Sequence, residues 1–475
     1  MNKLHLNPDR ALPAEGQQRD AAREIYGVIR DLPIISMHGH VAVETFLDNR
    51  AFLDPTSLLI TPDHYLCRML YSQGYTPSEL GVGASEISLD ESRAIWRRVC
   101  SNWKLFRGTP TRFWLEHEFA EVFGVDEMPT AENADRLYDR ISAALRLPEF
   151  RPRQLLDKFN IEIISTTDPA SCDLTLHEQL RRQGLGERVL PTLRPDSAID
   201  LANPFWKEEV DAIGELSGED TSTYSGYLEG LRQRRFAFKS AGALATDHGP
   251  LTPDTLPLSD DEASRIYAKR LSGVPVSAAE NAAFGANMLF QMAKMSTEDG
   301  LVMQIHPGVL RNQHHGLFEK FGADIGFDVP TSVDFTTALT PMLNAFGMNR
   351  TFRCILFTID ETVFSRELAP LAGAYSSLSL GAPWWFIDSP EAIGRFYAAT
   401  TETAGFYNLS GFVDDTRAYC SIPARHDLFR RSTAGFLAKL VVEHRLTLEE
   451  AVETAKDLTY TLPKQKYQRQ EPDQG

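Results

Sequence analysis

Eight short apolar runs rich in β-branched residues punctuate this chain, and nearly every one begins apolar and ends in a group able to do chemistry. The runs lie at 32–40, 161–168, 189–194, 236–248, 301–306, 354–360, 378–385 and 409–415, with helical patterns between them. Their ends carry His38 and His40, Asp168, Arg194, Asp247 and His248, His306, Asp360, Trp384 and Asp415. Strands alternating with helices argue for a parallel β/α architecture. In a (β/α)8 barrel all C-terminal strand ends face one active site, and the polar residues here have that distribution. Turn chemistry alone explains Asp168 and Asp360, because Asp starts turns in any α/β fold. It accounts poorly for the histidines and for Arg194. The fourth run is the weakest strand of the set.

At 475 residues the chain has room for about three average domains, or for one barrel with insertions. No low-complexity linker marks a boundary, so a single domain over 1–475 is expected. Between the first and second runs, at about 46–155, no strand is convincing. Segments such as Asp90-Glu91-Ser92-Arg93-Ala94-Ile95-Trp96 and Ala134-Asp135-Arg136-Leu137-Tyr138 instead repeat apolar residues every three to four positions. This reads as a large helical insertion after the first strand, covering the barrel mouth.

The net charge of −17 disfavours nucleic acid and anionic membranes as partners, because such a surface repels phosphate. The five cysteines are odd in number and never spaced as C-x-x-C, as reduced thiols would be. No apolar run has the length of a membrane span, and the N-terminus lacks the apolar core of a signal peptide. A cytoplasmic protein is expected.

His38 and His40 flank Gly39 at the end of the first run, and alternation along a strand points both side chains the same way. Two imidazoles side by side make half of a metal site. The third ligand should come from another strand end, and Asp415 is the choice. A divalent ion on two imidazoles and one carboxylate keeps positions open for substrate or water. Asp414 and Asp415 are neighbours, so one faces inward and the other is expected to cap the following turn. Arg417, Arg425 and His426, with Arg194, are expected to form a cationic rim that clamps a carboxylate. Arg430 and Arg431 are assigned to surface salt bridges. One of Trp384 and Trp385 walls a sugar-sized pocket, or both pack in the core. Within the insertion, Thr61 is expected to cap a helix begun by Pro62, leaving His64 and Tyr65 in its first turn. There they either reach the substrate, as proton shuttle or hydrogen-bond donors, or simply pack.

These residues together resemble the uronate (glucuronate) isomerases of the amidohydrolase superfamily. The likeness runs from the His-x-His strand through Pro62-Asp63-His64-Tyr65, Thr166-Thr167-Asp168-Pro169, Arg194-Pro195-Asp196, Thr246-Asp247-His248-Gly249, Gln304-Ile305-His306 with Arg311-Asn312, Trp384-Trp385-Phe386 and Asp415-Thr416-Arg417. The resemblance implies a distorted (β/α)8 barrel with a helical insertion. It implies interconversion of D-glucuronate with D-fructuronate and of D-galacturonate with D-tagaturonate, usually with zinc. Carried over, His38, His40 and Asp415 are the metal ligands and Arg194 and Arg417 bind substrate. His64, Tyr65 and Trp384 or Trp385 line the sugar pocket, with His306 and Arg425 added as further substrate contacts. The implied chemistry is proton transfer between C2 and C1 through a cis-enediol, with Asp415 as base and ligand and Tyr65 and His64 as acid or shuttle. The partner is a small hexuronate, and a homo-oligomeric state is left open.

Departures from the commoner form mark a divergent subgroup. Ser36 stands where that form has Asp, and the segments after His306 and at Thr358-Ile359-Asp360 also differ. An amidohydrolase-type hydrolase of an ester, lactone or amide is the alternative, and a silent sugar-acid sensor is a third reading. The hydrolase reading lacks a lysine at any strand end.

Overall fold

The computed structural model describes residues 3–84 and 86–468. Its strands are short and parallel around the barrel. β1 (Ile34–Ser36) pairs with β2 (Ile161–Ser165), whose chain continues into β3 (Asp168–Pro169). β2 pairs with β4 (Val189–Leu190) and β3 with β5 (Leu193–Arg194), which are two halves of one run. β5 then pairs with β6 (Ala245–His248), and β6 with β7 (Val302–Ile305). An excursion from β7 makes a small antiparallel hairpin of β8 (Val309–Leu310) and β9 (Val329–Pro330). β7 also pairs with β10 (Cys354–Leu356), and β10 with β11 (Leu378–Leu380). Strands β1, β4, β6, β7, β10 and β11 are buried on both faces, as Ile, Val and Leu runs covered by helices must be.

The eighth run is not a regular strand. Gly411, at φ +83°, and Asp415, at φ +42°, break the extended backbone. The run nevertheless closes the ring. Ser410 N–H donates to the Leu380 carbonyl at 2.9 Å on one side, and on the other Asp415 N–H donates to His38 O at 3.3 Å and His40 N–H to Thr416 O at 3.1 Å. The barrel is therefore complete and distorted at its seam. In the fourth run, residues from Phe236 to Ser240 belong to the helix Tyr224–Ser240, and only the end of the run is strand.

Between β1 and β2 the described residues form helices, with an isolated bridge from Glu127 to Lys3. A capping box between Ser88 and Glu91 starts the helix Leu89–Ser101, whose Ile95 and Trp96 pack with Tyr138 and Ile141 of the helix Ala134–Leu145. The same core takes in Ile34, Ile161 and Ile164, so the insertion is welded to the first two strands. At the other end the helix Leu462–Tyr467 lies under the strand starts, where Tyr467 Oη donates to Gln304 Oε1 at 2.8 Å and Lys464 pairs with Glu162 at 2.7 Å.

Arg430 and Arg431 do not lie on the surface. The helix Ile422–Val442 is covered by the N-terminal segment and is buried almost all round, so both arginines are enclosed. Arg430 donates to the carbonyls of Arg30 and Leu32 at 2.6 and 2.7 Å, and Arg431 pairs with Asp427 at 2.9 Å.

Candidate active site and metal centre

Above the C-terminal strand ends lies a cavity of about 260 Å³. Its floor is the barrel seam. His38 and His40 follow β1 beyond its last strand residue, and their Nε2 atoms approach Asp415 Oδ1 to 3.3 and 3.0 Å. Two donors bound at 2.0–2.1 Å to one tetrahedral ion stand ~3.3 Å apart, so this spacing suits a zinc-sized cation. His40 and Asp415 are partly exposed toward the cavity, so the set has an open side, as a catalytic centre requires.

A second donor group overlaps the first at His38. Asp247 Oδ1 lies 3.3 Å from His38 Nδ1 and 3.0 Å from His306 Nε2, and all three residues are buried. His38 thus has one carboxylate at each ring nitrogen. With Nε2 turned to the His40 and Asp415 side, Nδ1 faces a buried acid, the arrangement that fixes a ligating imidazole. His38 Nδ1 and Asp247 Oδ1 have no hydrogen-bond partner of good geometry among the described residues.

Electrostatics agree with a site built for positive charge. Burial works against charging His38, yet Asp247 and Asp415 hold its pKa up to about 10. Burial likewise opposes ionising Asp415, but hydrogen bonds with His38 and His40 keep its carboxyl well below the usual range. Asp247 is held low against its burial by His306, His38 and Arg194. His64, by contrast, is pushed down to about 3 by burial and then by Arg417, and is a neutral imidazole.

The walls carry three arginines. Arg194 Nε donates to Asp196 at 2.8 Å, with Nη1 3.3 Å from Asp247. Arg311 pairs with Asp328 at 2.8 Å and stacks on Trp385 at 4.8 Å. Arg417 pairs with Asp324 at 2.9 Å. Trp384 stacks on Phe357 at 4.4 Å and packs against His38 and His306 at 5.0 and 5.2 Å. Trp385 is held at φ +54°, a left-handed backbone that is strained for an aromatic residue. Asn312, Asp324 and Asp415 on the same cavity also have positive φ, so unusual backbone is concentrated here.

A family model described as glucuronate isomerase matches residues 17–467. The chain belongs to this family. A uronate isomerase of Rhizobium meliloti (strain 1021) is 51% identical over 464 residues, covering 97% of this chain and 99% of that protein. Among solved structures, a glucuronate isomerase from Caulobacter crescentus is similar with a TM-score of 0.96 at 47% identity, covering 99% of both chains. A uronate isomerase from Thermotoga maritima has a TM-score of 0.91 at 28% identity, covering 98% of this chain and 99% of that one.

In this glucuronate isomerase fold most residues anticipated at the site do meet at the cavity: His38, His40, His64, Arg194, His306, Trp384, Trp385, Asp415 and Arg417. Two do not line it. Arg425 is 1% exposed and donates to Asp388 at 2.9 Å, with its guanidinium 3.6 Å from the Trp114 ring centre and 5.3 Å from that of Tyr65. Its helix, Ile422–Val442, runs behind the wall, so it belongs to no rim. Tyr65 is wedged between Trp114, Arg425 and His64, and burial raises its hydroxyl well above 10. The helix His64–Tyr71 is capped by Asp63, whose Oδ1 accepts from Tyr65 N and Leu66 N, and not by Thr61. Asp414 caps no turn; it is buried and its Oδ2 lies 3.2 Å from His426 Nε2. His248, next to Asp247 on β6, points the opposite way, into the barrel wall against Thr246 Oγ1 at 3.0 Å.

Asp247 and Arg311, named from the sequence at a strand end and in the segment after His306 but given no role there, support or line the site, as do Asp324 and Asp328, which were not named. The strand period identifies Asp247 once one neighbour is known to face outward. The other three depend on the path of the excursion after β7, which no local pattern encodes.

Proposed function

We propose that this enzyme interconverts D-glucuronate with D-fructuronate and D-galacturonate with D-tagaturonate by moving a proton between C2 and C1. The observation that carries this is the His38, His40 and Asp415 set opening into a small cavity walled by arginines, where an anionic sugar and a cation have places side by side. The relatives described as uronate isomerases support the substrate class. A hydrolase has less support, since among the described residues no lysine lines the cavity.

In this reading His38, His40 and Asp415 would hold a divalent ion, zinc by their nitrogen and carboxylate donors. When bound it would supply a Lewis acid to a sugar oxygen. The arginines orient the carboxylate and balance the oxyanion; a single such donor typically lowers a barrier by about 3 kcal/mol. In this reading Asp415, whose carboxyl His38 and His40 keep ionised, accepts the C2 proton of the ring-opened aldose. The electron pair left at C2 becomes the C1–C2 double bond of a cis-enediol as O1 takes a proton. Return of a proton to C1, with loss of the O2 proton, gives the ketose, and no oxidant or reductant is consumed. His64, neutral and on the cavity wall, is suited to pass the proton between O2 and O1. Tyr65 positions His64, their ring centres being 4.5 Å apart. Asp247 fixes the His38 ring.

The test is NMR of the purified enzyme with each uronate in D2O, with metal content measured on the same sample. Ketouronate formation with deuterium at C1 or C2 is expected. An unchanged sugar with the metal site filled would refute the reading.

A further inference from the structure

Behind the cavity wall, one buried side chain touches three elements that the site draws on. Arg425 Nη1 donates to Asp388 Oδ2 at 2.9 Å, and Asp388 ends the short helix Trp385–Ile387. Arg425 Nε donates to Ser421 Oγ at 3.1 Å. Ser421 Oγ lies 3.1 Å from Thr416 Oγ1, and the Thr416 carbonyl accepts from His40 N–H at the barrel seam. The guanidinium also packs on the ring of Tyr65, in the first turn of the helix His64–Tyr71. On the cavity side the same two wall elements meet again, with the ring centres of His64 and Trp385 6.2 Å apart and Arg68 4.5 Å from the ring centre of Phe386. The wall is thus joined at its face by ring contacts and at its back by Arg425.

We propose that Arg425, through Asp388, is a positioning residue for the isomerisation: it locks the Trp384–Trp385 loop against the start of the His64 helix and so holds His64 in place opposite Asp415. The proposal rests on the isomerase reading for the reaction it serves. The strained backbone of Trp385, at φ +54°, persists only where its surroundings over-determine it. Within that short helix the Asp388 N–H reaches the Trp385 carbonyl at only 3.3 Å, which leaves the restraint to the Asp388 side chain. Both members of the pair are 1% exposed, so water does not compete for either. Arg194, Arg311 and Arg417 are each held by an acid of their own. Loss of the Arg425 anchor should therefore disturb the geometry of proton transfer more than the capture of an anionic sugar, and a misplacement of about 1 Å typically costs about 100-fold in rate.

The test uses the full-length, metal-loaded enzyme with Arg425→Met and Asp388→Leu combined. Two apolar residues in place of a buried ion pair are often neutral for stability, so the combined variant removes the anchor without stranding a charge. Its urea midpoint and metal content should match wild type, while kcat for D-glucuronate falls about 100-fold and KM stays within about threefold. Wild-type kcat in the folded variant would overturn the proposal, and so would a loss carried by KM alone. Arg425→Lys keeps the charge but has no fork to reach Asp388 and Ser421 together, and should give an intermediate kcat. If the combined variant does not fold, wild-type kcat in Arg425→Lys overturns the proposal by itself. Hydrogen exchange without substrate reads the anchor independently of the reaction: the peptides holding Tyr65–Leu66 and Trp385–Asp388 should lose protection together in the variants. Unchanged exchange in either peptide would overturn the coupling. Inactivity of the wild-type enzyme toward both uronates would instead refute the isomerase reading, with the exchange result still standing for or against the anchor.

Discussion

The backbone amide of Asp415 donates to the carbonyl of His38 at 3.3 Å, so two residues expected to hold one ion are also joined across the seam that closes the barrel. An ion held by these two residues would therefore be coupled to closure of the barrel. Chelation should lower the thermal midpoint, because a ligand that binds the folded state alone stabilises it by mass action. Asp415→Asn keeps a residue that tolerates φ +42° while removing the negative charge and replacing one carboxylate oxygen by an amide nitrogen that cannot ligate. It should abolish turnover and reduce bound metal to well below one per chain, with the circular dichroism spectrum unchanged. Full activity in this variant would remove Asp415 from the site.

Arg425 and Asp388 form an ion pair with both side chains 1% exposed. Removing one partner of such a pair leaves a buried charge uncompensated, at a typical cost of about 3–5 kcal/mol. Arg425→Met should therefore shift the urea midpoint strongly downward. A substrate-binding arginine would behave otherwise, raising KM with little change in stability. Urea unfolding and steady-state kinetics on the same preparation separate the two.

His64 has a pKa of about 3 because burial and Arg417 disfavour its charged form. The unfolded imidazole titrates near 6.5. Between these values the unfolded chain binds a proton that the folded one does not, so this residue destabilises the fold progressively as pH falls from about 7. Relative to wild type, His64→Asn should lose less thermal stability between pH 7 and pH 5. In kinetics, His64 should give no inflection near pH 6.5, and any acid limb there should persist in the variant. Disappearance of such a limb would show that His64 titrates in the ordinary range.

Periodicity exposed what the barrel repeats and hid what its ends improvise. The alternation of Ile-rich runs with helical patterns led directly to the parallel ring, and His38, His40, Arg194, His306 and Asp415 were visible because each terminates such a run. The eighth run departs from strand geometry because Gly411 and Asp415 adopt positive φ, which composition does not announce. Arg425 illustrates a second limit. Eight residues past Arg417 it looks like another rim cation, but only the tertiary course of the helix Ile422–Val442 turns it toward Asp388. The same applies to Arg430 and Arg431, covered by a segment from the far end of the chain.

Asp247 is the residue whose weight most exceeds its sequence signal. It is fully buried and faces His38, His306 and Arg194 at 3.3, 3.0 and 3.3 Å. Loss of its charge would remove the acid that faces His38 Nδ1 and leave Asp196 as the carboxylate paired with Arg194. Outer carboxylates that orient a ligating histidine typically contribute about 10–100-fold in metal affinity or activity. Asp247→Asn should accordingly weaken metal binding in a chelator competition by about that factor and lower kcat more than it raises KM. Asp247→Glu should not rescue, because a longer side chain in a fully buried position cannot keep both contacts. Wild-type metal affinity in Asp247→Asn would mean that the acid serves the substrate directly, and KM would then carry the whole effect.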